Sequence, residues 1–128
     1  MSAATFYNTL KTALSNEGYT EIPDLMDIEE VKEPHKHKGY ILKPIGSQED
    51  QQFTNKCLIS DHEWMLQIVY KNNSASERVA NYDEFHNIKK TLYALSDMNS
   101  YTSNPTFGRL ANFTRVSVGT LQFYFGRE

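Results

Sequence analysis

A chain of 128 residues with 39% hydrophobic and 23% charged residues, 8 Tyr, 7 Phe and one Trp has enough apolar and aromatic side chain for one folded domain with one core. The net charge of -3 gives no electrostatic reason for general affinity to nucleic acid or anionic lipid. Cys57 is the only cysteine, which excludes a disulfide scaffold. Met1-Ser2-Ala3-Ala4-Thr5 lacks the basic start and apolar run of a secretory signal, and no apolar stretch approaches the roughly 20 residues of a membrane span. The expectation is a soluble protein of a reducing cytoplasm.

The first periodic segment spans Ala3 to Ser15. Phe6, Leu10, Ala13 and Leu14 share one helical face, and Gly18 is placed to cap the helix in the left-handed conformation. Tyr19 to His37 reads as irregular, with Pro23 and Pro34 bracketing an acidic run. Gly39-Tyr40-Ile41-Leu42-Lys43 reads as a strand closed by Pro44, and Ile45 to Gln52 as a mobile polar loop. A long strand is expected from Lys56 to Lys71. Trp64, Leu66, Ile68 and Tyr70 form its core face, since strand side chains alternate. Met65 and Val69 fall on the other face and suggest a subunit contact there.

Asn72 to Ser76 reads as a turn, and Ser74 with Glu77 fits a capping box that opens a second helix running to Ser96. Phe85, Ile88, Leu92 and Leu95 make its apolar stripe, extended by Val79 and Tyr82. Asn99 to Pro105 reads as loop. Phe107 to Val116 and Thr120 to Phe125 follow as strands joined by a turn at Gly119. The order is helix, strand, strand, helix, strand, strand. This is an α+β chain with a mainly antiparallel sheet and both helices packed on one face.

Chemical motifs are sparse: there is no G-x-S-x-G, no glycine-rich phosphate loop and no C-x-x-C. His35 and His37, two apart, could reach one metal ion with His62 or Glu63, but the stretch His35-Lys36-His37-Lys38 reads more simply as a solvated basic patch. Cys57 has Lys56 beside it and His62 nearby, but sits in strand-like sequence and reads as a packed thiol. Asp24, Asp27, Glu29 and Glu30 read as a solvated run. Arg109, Arg115, Phe107 and Phe113 could form a single-strand nucleic-acid platform, though core and interface roles suit those aromatics better. No catalytic residue, metal ligand or cofactor is assigned.

The sequence of elements, the length and the acidic balance resemble the tail terminator, or tail completion, proteins of long-tailed bacteriophages. The likeness runs through the first helix, Gly39 to Pro44, Trp64-Met65-Leu66-Gln67-Ile68-Val69-Tyr70 and the helix from Glu77 to Ser96. It continues in Arg78-Val79-Ala80-Asn81-Tyr82-Asp83 and Val118-Gly119-Thr120-Leu121-Gln122-Phe123. The resemblance implies a non-enzymatic virion protein at the head-proximal end of the tail, assembled in the host cytoplasm. Such a protein forms a hexameric ring that stops tail-tube growth, joins the head-completion or neck protein, and lets DNA pass without sequence-specific binding. Gln48, Glu49 and Asp50, from the polar loop, are the expected contacts to the tube, and Met65 and Val69 those between subunits. Another head–tail connector is the nearest alternative, and a small monomeric binding domain or enzyme a more distant one.

Overall fold

The computed structural model describes residues 2–22, 37–51, 58–101, 105–109 and 115–128. Helix α1 (Ala3–Asn16) opens on Ser2, whose hydroxyl accepts from the Thr5 N–H. It ends where Tyr19 N–H reaches back to the Leu14 carbonyl, with Gly18 at φ +87°. Only a residue without Cβ takes that conformation cheaply. Strand β1 (Thr20–Glu21) follows, then β2 (Gly39–Gln51) and β3 (Leu58–Lys71). Helix α2 (Ala75–Tyr93) begins at the Ser74 cap, whose hydroxyl accepts from Glu77 N–H while the Glu77 carboxylate accepts from Asn73 N–H. The hydroxyl half of the expected capping box is therefore formed, while the carboxylate reaches one residue further back, to Asn73 instead of Ser74. Strands β4 (Met98–Tyr101), β5 (Thr106–Arg109) and β6 (Val116–Arg127) complete the described chain.

The fold is α+β. Six strands form one sheet in the order β1-β2-β3-β6, with β4 and β5 sharing the far edge of β6. All pairings are antiparallel except the short parallel pair of β1 with β2. Phe6, Leu10 and Leu14 of α1 and Phe85, Ile88 and Leu92 of α2 pack on one face of this sheet. They meet Tyr40, Leu42, Trp64, Leu66, Ile68, Tyr70, Leu121, Phe123 and Phe125 there. Trp64, buried in this core, keeps its indole N–H satisfied by the Phe125 carbonyl at 2.9 Å.

Six expectations are corrected, the first two being that Thr20–Glu21, expected as irregular, forms β1, and that the last two strands, expected over Phe107 to Val116 and Thr120 to Phe125, are β5 and β6 with the bounds given above. Ile45 to Gln51 is not a loop: β2 runs through Pro44 to Gln51, paired with β3 down to Gln51 opposite Leu58. Proline is tolerated because, among the described residues, β1 pairs only with Gly39 and Tyr40, so no described strand lies beside Pro44 on that side to need its missing N–H. Ile45 is the extra residue of a bulge between Pro44 and Gly46 and is 40% exposed. Asn99 to Tyr101, expected as loop, belongs to β4. Gly119 is not in a turn but lies inside β6, opposite both Ile68 and Phe107. Val79 and Tyr82 do not extend the α2 core stripe: they are 62% and 50% exposed, and Asn81 is buried instead.

Candidate assembly surfaces

The residues proposed from sequence for tube contact fall on a two-stranded arm. Glu128, next after β6, exchanges two backbone hydrogen bonds with Ser60, each 2.8 Å. Past Ser60, the rungs of Asp50 with Ile59 and Gln51 with Leu58 have no third strand beside them among the described residues. Gln48 and Glu49 are exposed, and Ser47 donates to the Glu49 carboxylate at 2.8 Å. Residues 46–51 and 58–63 carry Glu49, Asp50, Asp61 and Glu63 and no Lys or Arg. Arg127 takes up Asp61 in a two-pronged ion pair at 2.8 and 3.1 Å, where Asn99 also donates to Asp61. His62 meets Glu128 at 2.6 Å beside a bulge between Asp61 and Glu63.

Met65 and Val69 lie on the sheet face away from the helices, as their alternation with Trp64 and Ile68 requires. Met65 is half-buried between Lys43 and Gln122 in the register. Val69 is fully buried within the chain, in a small apolar cluster with Ile41, Val116, Ile22 and Val118. It therefore offers no surface to a neighbour, which corrects its assignment as a subunit contact. Alternation along β3 found the right face for both, but not the local cover that closes over one of them.

The histidines do not converge. His37 accepts the Lys71 N–H through Nδ1 at 3.0 Å and packs edge-on against Tyr70. Its pKa is lowered, first by burial and then by neighbouring Lys38. His62 is nine residues from Lys71 along the same strand, which places it about 30 Å away. The two imidazoles cannot share an ion. Among the described residues no group of three His, Cys, Asp or Glu is arranged to hold a metal. His35, Cys57, Phe113 and the acidic residues Asp24, Asp27, Glu29 and Glu30 lie outside the described residues.

A buried polar cluster that the sequence reading did not anticipate joins the end of α1, β3 and α2. The Tyr19 and Tyr70 hydroxyls are 2.8 Å apart, Tyr19 donates to Glu84 at 3.2 Å, and Lys38 lies 3.7 Å from Glu84. Burial, first among the causes, pushes both phenols up, and the Glu84 charge adds to it. Both stay neutral and available as donors, so the cluster clasps three elements. Tyr7 donates to Glu21 in a similar link between α1 and β1, and burial lifts Tyr40 to about 12.

Phe107, Arg109 and Arg115 are brought to one region. Phe107 packs on Tyr70, Tyr82 and Phe85 with ring centroids 5.6–5.8 Å apart. Arg109 is exposed on β5, and exposed Arg115 gives its carbonyl to Asn72 N–H. No helix among the described residues is long and apolar enough to cross a membrane. No protein-family model matches the chain and no curated protein matches it.

Proposed function

We propose that this chain is a structural virion protein, a tail terminator whose copies close into a ring, cap the tail tube, stop its growth and join the tail to the neck. The observation that carries the reading is a protomer with unfinished boundaries. Among the described residues β2 has no partner on its outer side past Tyr40, and its rungs with β3 run on to Asp50 with Ile59 and Gln51 with Leu58 with no third described strand beside them. Edges of this kind are templates for another chain and are usually blunted in a protein that stays alone. A head-to-tail contact repeated around an axis closes into a ring when the rotation allows. The acidic balance favours passage of DNA over retention, because a surface that neutralises few phosphates gains little from counterion release.

The reading places the tail tube and the neck protein as partners and the virion as location, and it assigns no cofactor. Its test is assembly of purified tail-tube subunits from the same virion with and without this protein. Tubes that stop growing once it is added, with the protein at one end by labelling electron microscopy, are the expected result. Tubes whose length and ends are unchanged at saturating protein would exclude a terminator.

A further inference from the structure

Helix α2 and the edge strand β5 enclose a groove of about 220 Å³ at one end, lined by Tyr82, His86, Lys89 and Phe107, and about 370 Å³ at the other, by Arg78, Phe107 and Arg109. On α2, residues 78, 82, 86 and 89 fall on one side of the helix. The groove therefore has an aromatic floor, with Tyr82 stacked on His86 and edge-on to Phe107, and three cationic side chains on its walls. Among the described residues neither Arg78 nor Arg109 lies within ion-pair distance of a carboxylate. Of the α2 acids, Glu77 is held by Asn73 and Glu84 by Tyr19 and Lys38, while Asp83 lies about 100° round the helix from this stripe.

The acidic arm stands at the opposite corner of the same sheet. It leaves β3 at Asp61, whereas β5 lies against Ser117 to Thr120, near the Lys71 end and on the other edge. Ten residues of strand separate Asp61 from Lys71, about 33 Å at the rise of a strand. The two regions, complementary in charge, cannot meet within one chain. Between chains, they meet head to tail.

We infer that the groove between α2 and β5 receives the Glu49–Asp50 arm of a second copy of this chain. The inference rests on the ring reading and deepens it by naming the two surfaces of the repeated contact. A carboxylate of the arm sits between Arg78 and Arg109 in the incoming position, and Tyr82 and Phe107 supply apolar area beneath it. A second copy is favoured over nucleic acid because the chain carries its own anionic partner surface and a net charge of -3.

The test is the solution mass of the full chain by light scattering, up to about 1 mM in low salt. Wild type is compared with Arg78→Glu/Arg109→Glu, with Glu49→Arg/Asp50→Arg, and with all four changes in one chain. Each pair of reversals should weaken self-association by roughly tenfold or more. The fourfold variant, and an equimolar mixture of the two double variants, should both regain it, since each again matches acid to base. Thermal unfolding of every variant verifies the fold, and the mixture keeps the test decisive if the fourfold chain does not fold. A wild-type assembly unmoved by either reversal overturns this contact and leaves the ring reading standing. A wild type monomeric throughout overturns it too, while tube lengths decide the terminator reading separately. Short duplex DNA that binds wild type, is lost on Arg78→Glu/Arg109→Glu and is indifferent to the arm would also overturn it.

Discussion

Asn81 shows how much one buried polar side chain can organise. It lies on the inner side of α2, only 9% exposed, and donates both to the Lys71 carbonyl at 2.9 Å and to the Asn72 side-chain oxygen at 3.2 Å. Asn72 is itself buried and gives its own N–H to Arg115. The end of β3, the start of β6 and the second turn of α2 are thereby tied through two amides. A polar side chain here is required because Lys71 is the last residue of β3, where the ladder ends and backbone groups need other partners. Asn81→Ala leaves the part-buried Lys71 carbonyl and the buried Asn72 amide short of a partner. The expected loss is about 1–3 kcal/mol in chemical denaturation. Asn81→Asp, which keeps the shape and removes the donor, should be no better. A loss below about 0.5 kcal/mol for Asn81→Ala would mean that water replaces the amide.

At the scale of elements, α2 approaches β6 closely at Gly119. A Cβ built on Gly119 would lie 2.5 Å from two ring carbons of Phe85, so the aromatic ring occupies the place of the missing side chain. Gly119→Ala should cost about 1–3 kcal/mol of overpacking, measured as a lower midpoint of thermal unfolding, and Phe85→Leu should restore part of it by clearing the ring. Independent effects of the two changes would show that the ring is not what excludes the methyl. This contact also explains what could be read from the sequence. Period-two alternation in Trp64 to Tyr70 and the stripe of Phe85, Ile88 and Leu92 report burial against a broad surface, and both were correctly legible. Gly119 and Pro44 were misread as punctuation, because their ordinary meaning in a sequence is a turn or a strand end. Their meaning here is set by tertiary context: a ring above Gly119, and no described strand beside Pro44 on its outer side. Val79 and Tyr82 were misread for a geometric reason. Steps of three carried backwards from Phe85 drift round the helix, putting Val79 about 160° and Tyr82 about 100° from the stripe centre. The same drift is what frees Tyr82 to stack on His86 beside the groove. Of the candidate site, the acidic residues of the arm were visible in the sequence as a polar run. Their pairing into a strand was not, since seven polar or small residues have no alternating apolar face to announce it.

For the molecule as a whole, the question is whether the arm serves the fold or only assembly. Ser60 turns its N–H and carbonyl to Glu128, so in an antiparallel ladder its neighbours Ile59 and Asp61 turn theirs to β2. The Gln48/Asp61 rung is therefore a suitable place to close a shorter hairpin. Replacing residues 49–60 with Asn-Gly provides the two-residue turn that matches strand twist. The replacement removes the two Ser60–Glu128 bonds, worth about 1 kcal/mol each, but none of the described residues of the large core between helices and sheet. The shortened chain should keep one cooperative unfolding transition at a midpoint only a few degrees lower. It should also lose self-association and the ability to stop tube growth, because the acidic rungs that reach a neighbour are gone. Retained assembly would place the repeated contact elsewhere, on the face around Met65 or along the edge of β2 that no described strand covers. Loss of the cooperative transition would instead make the arm part of the folding unit. Separate outcomes follow because the arm's outer rungs pair with no other described strand, so a body that folds without them leaves them to a neighbour.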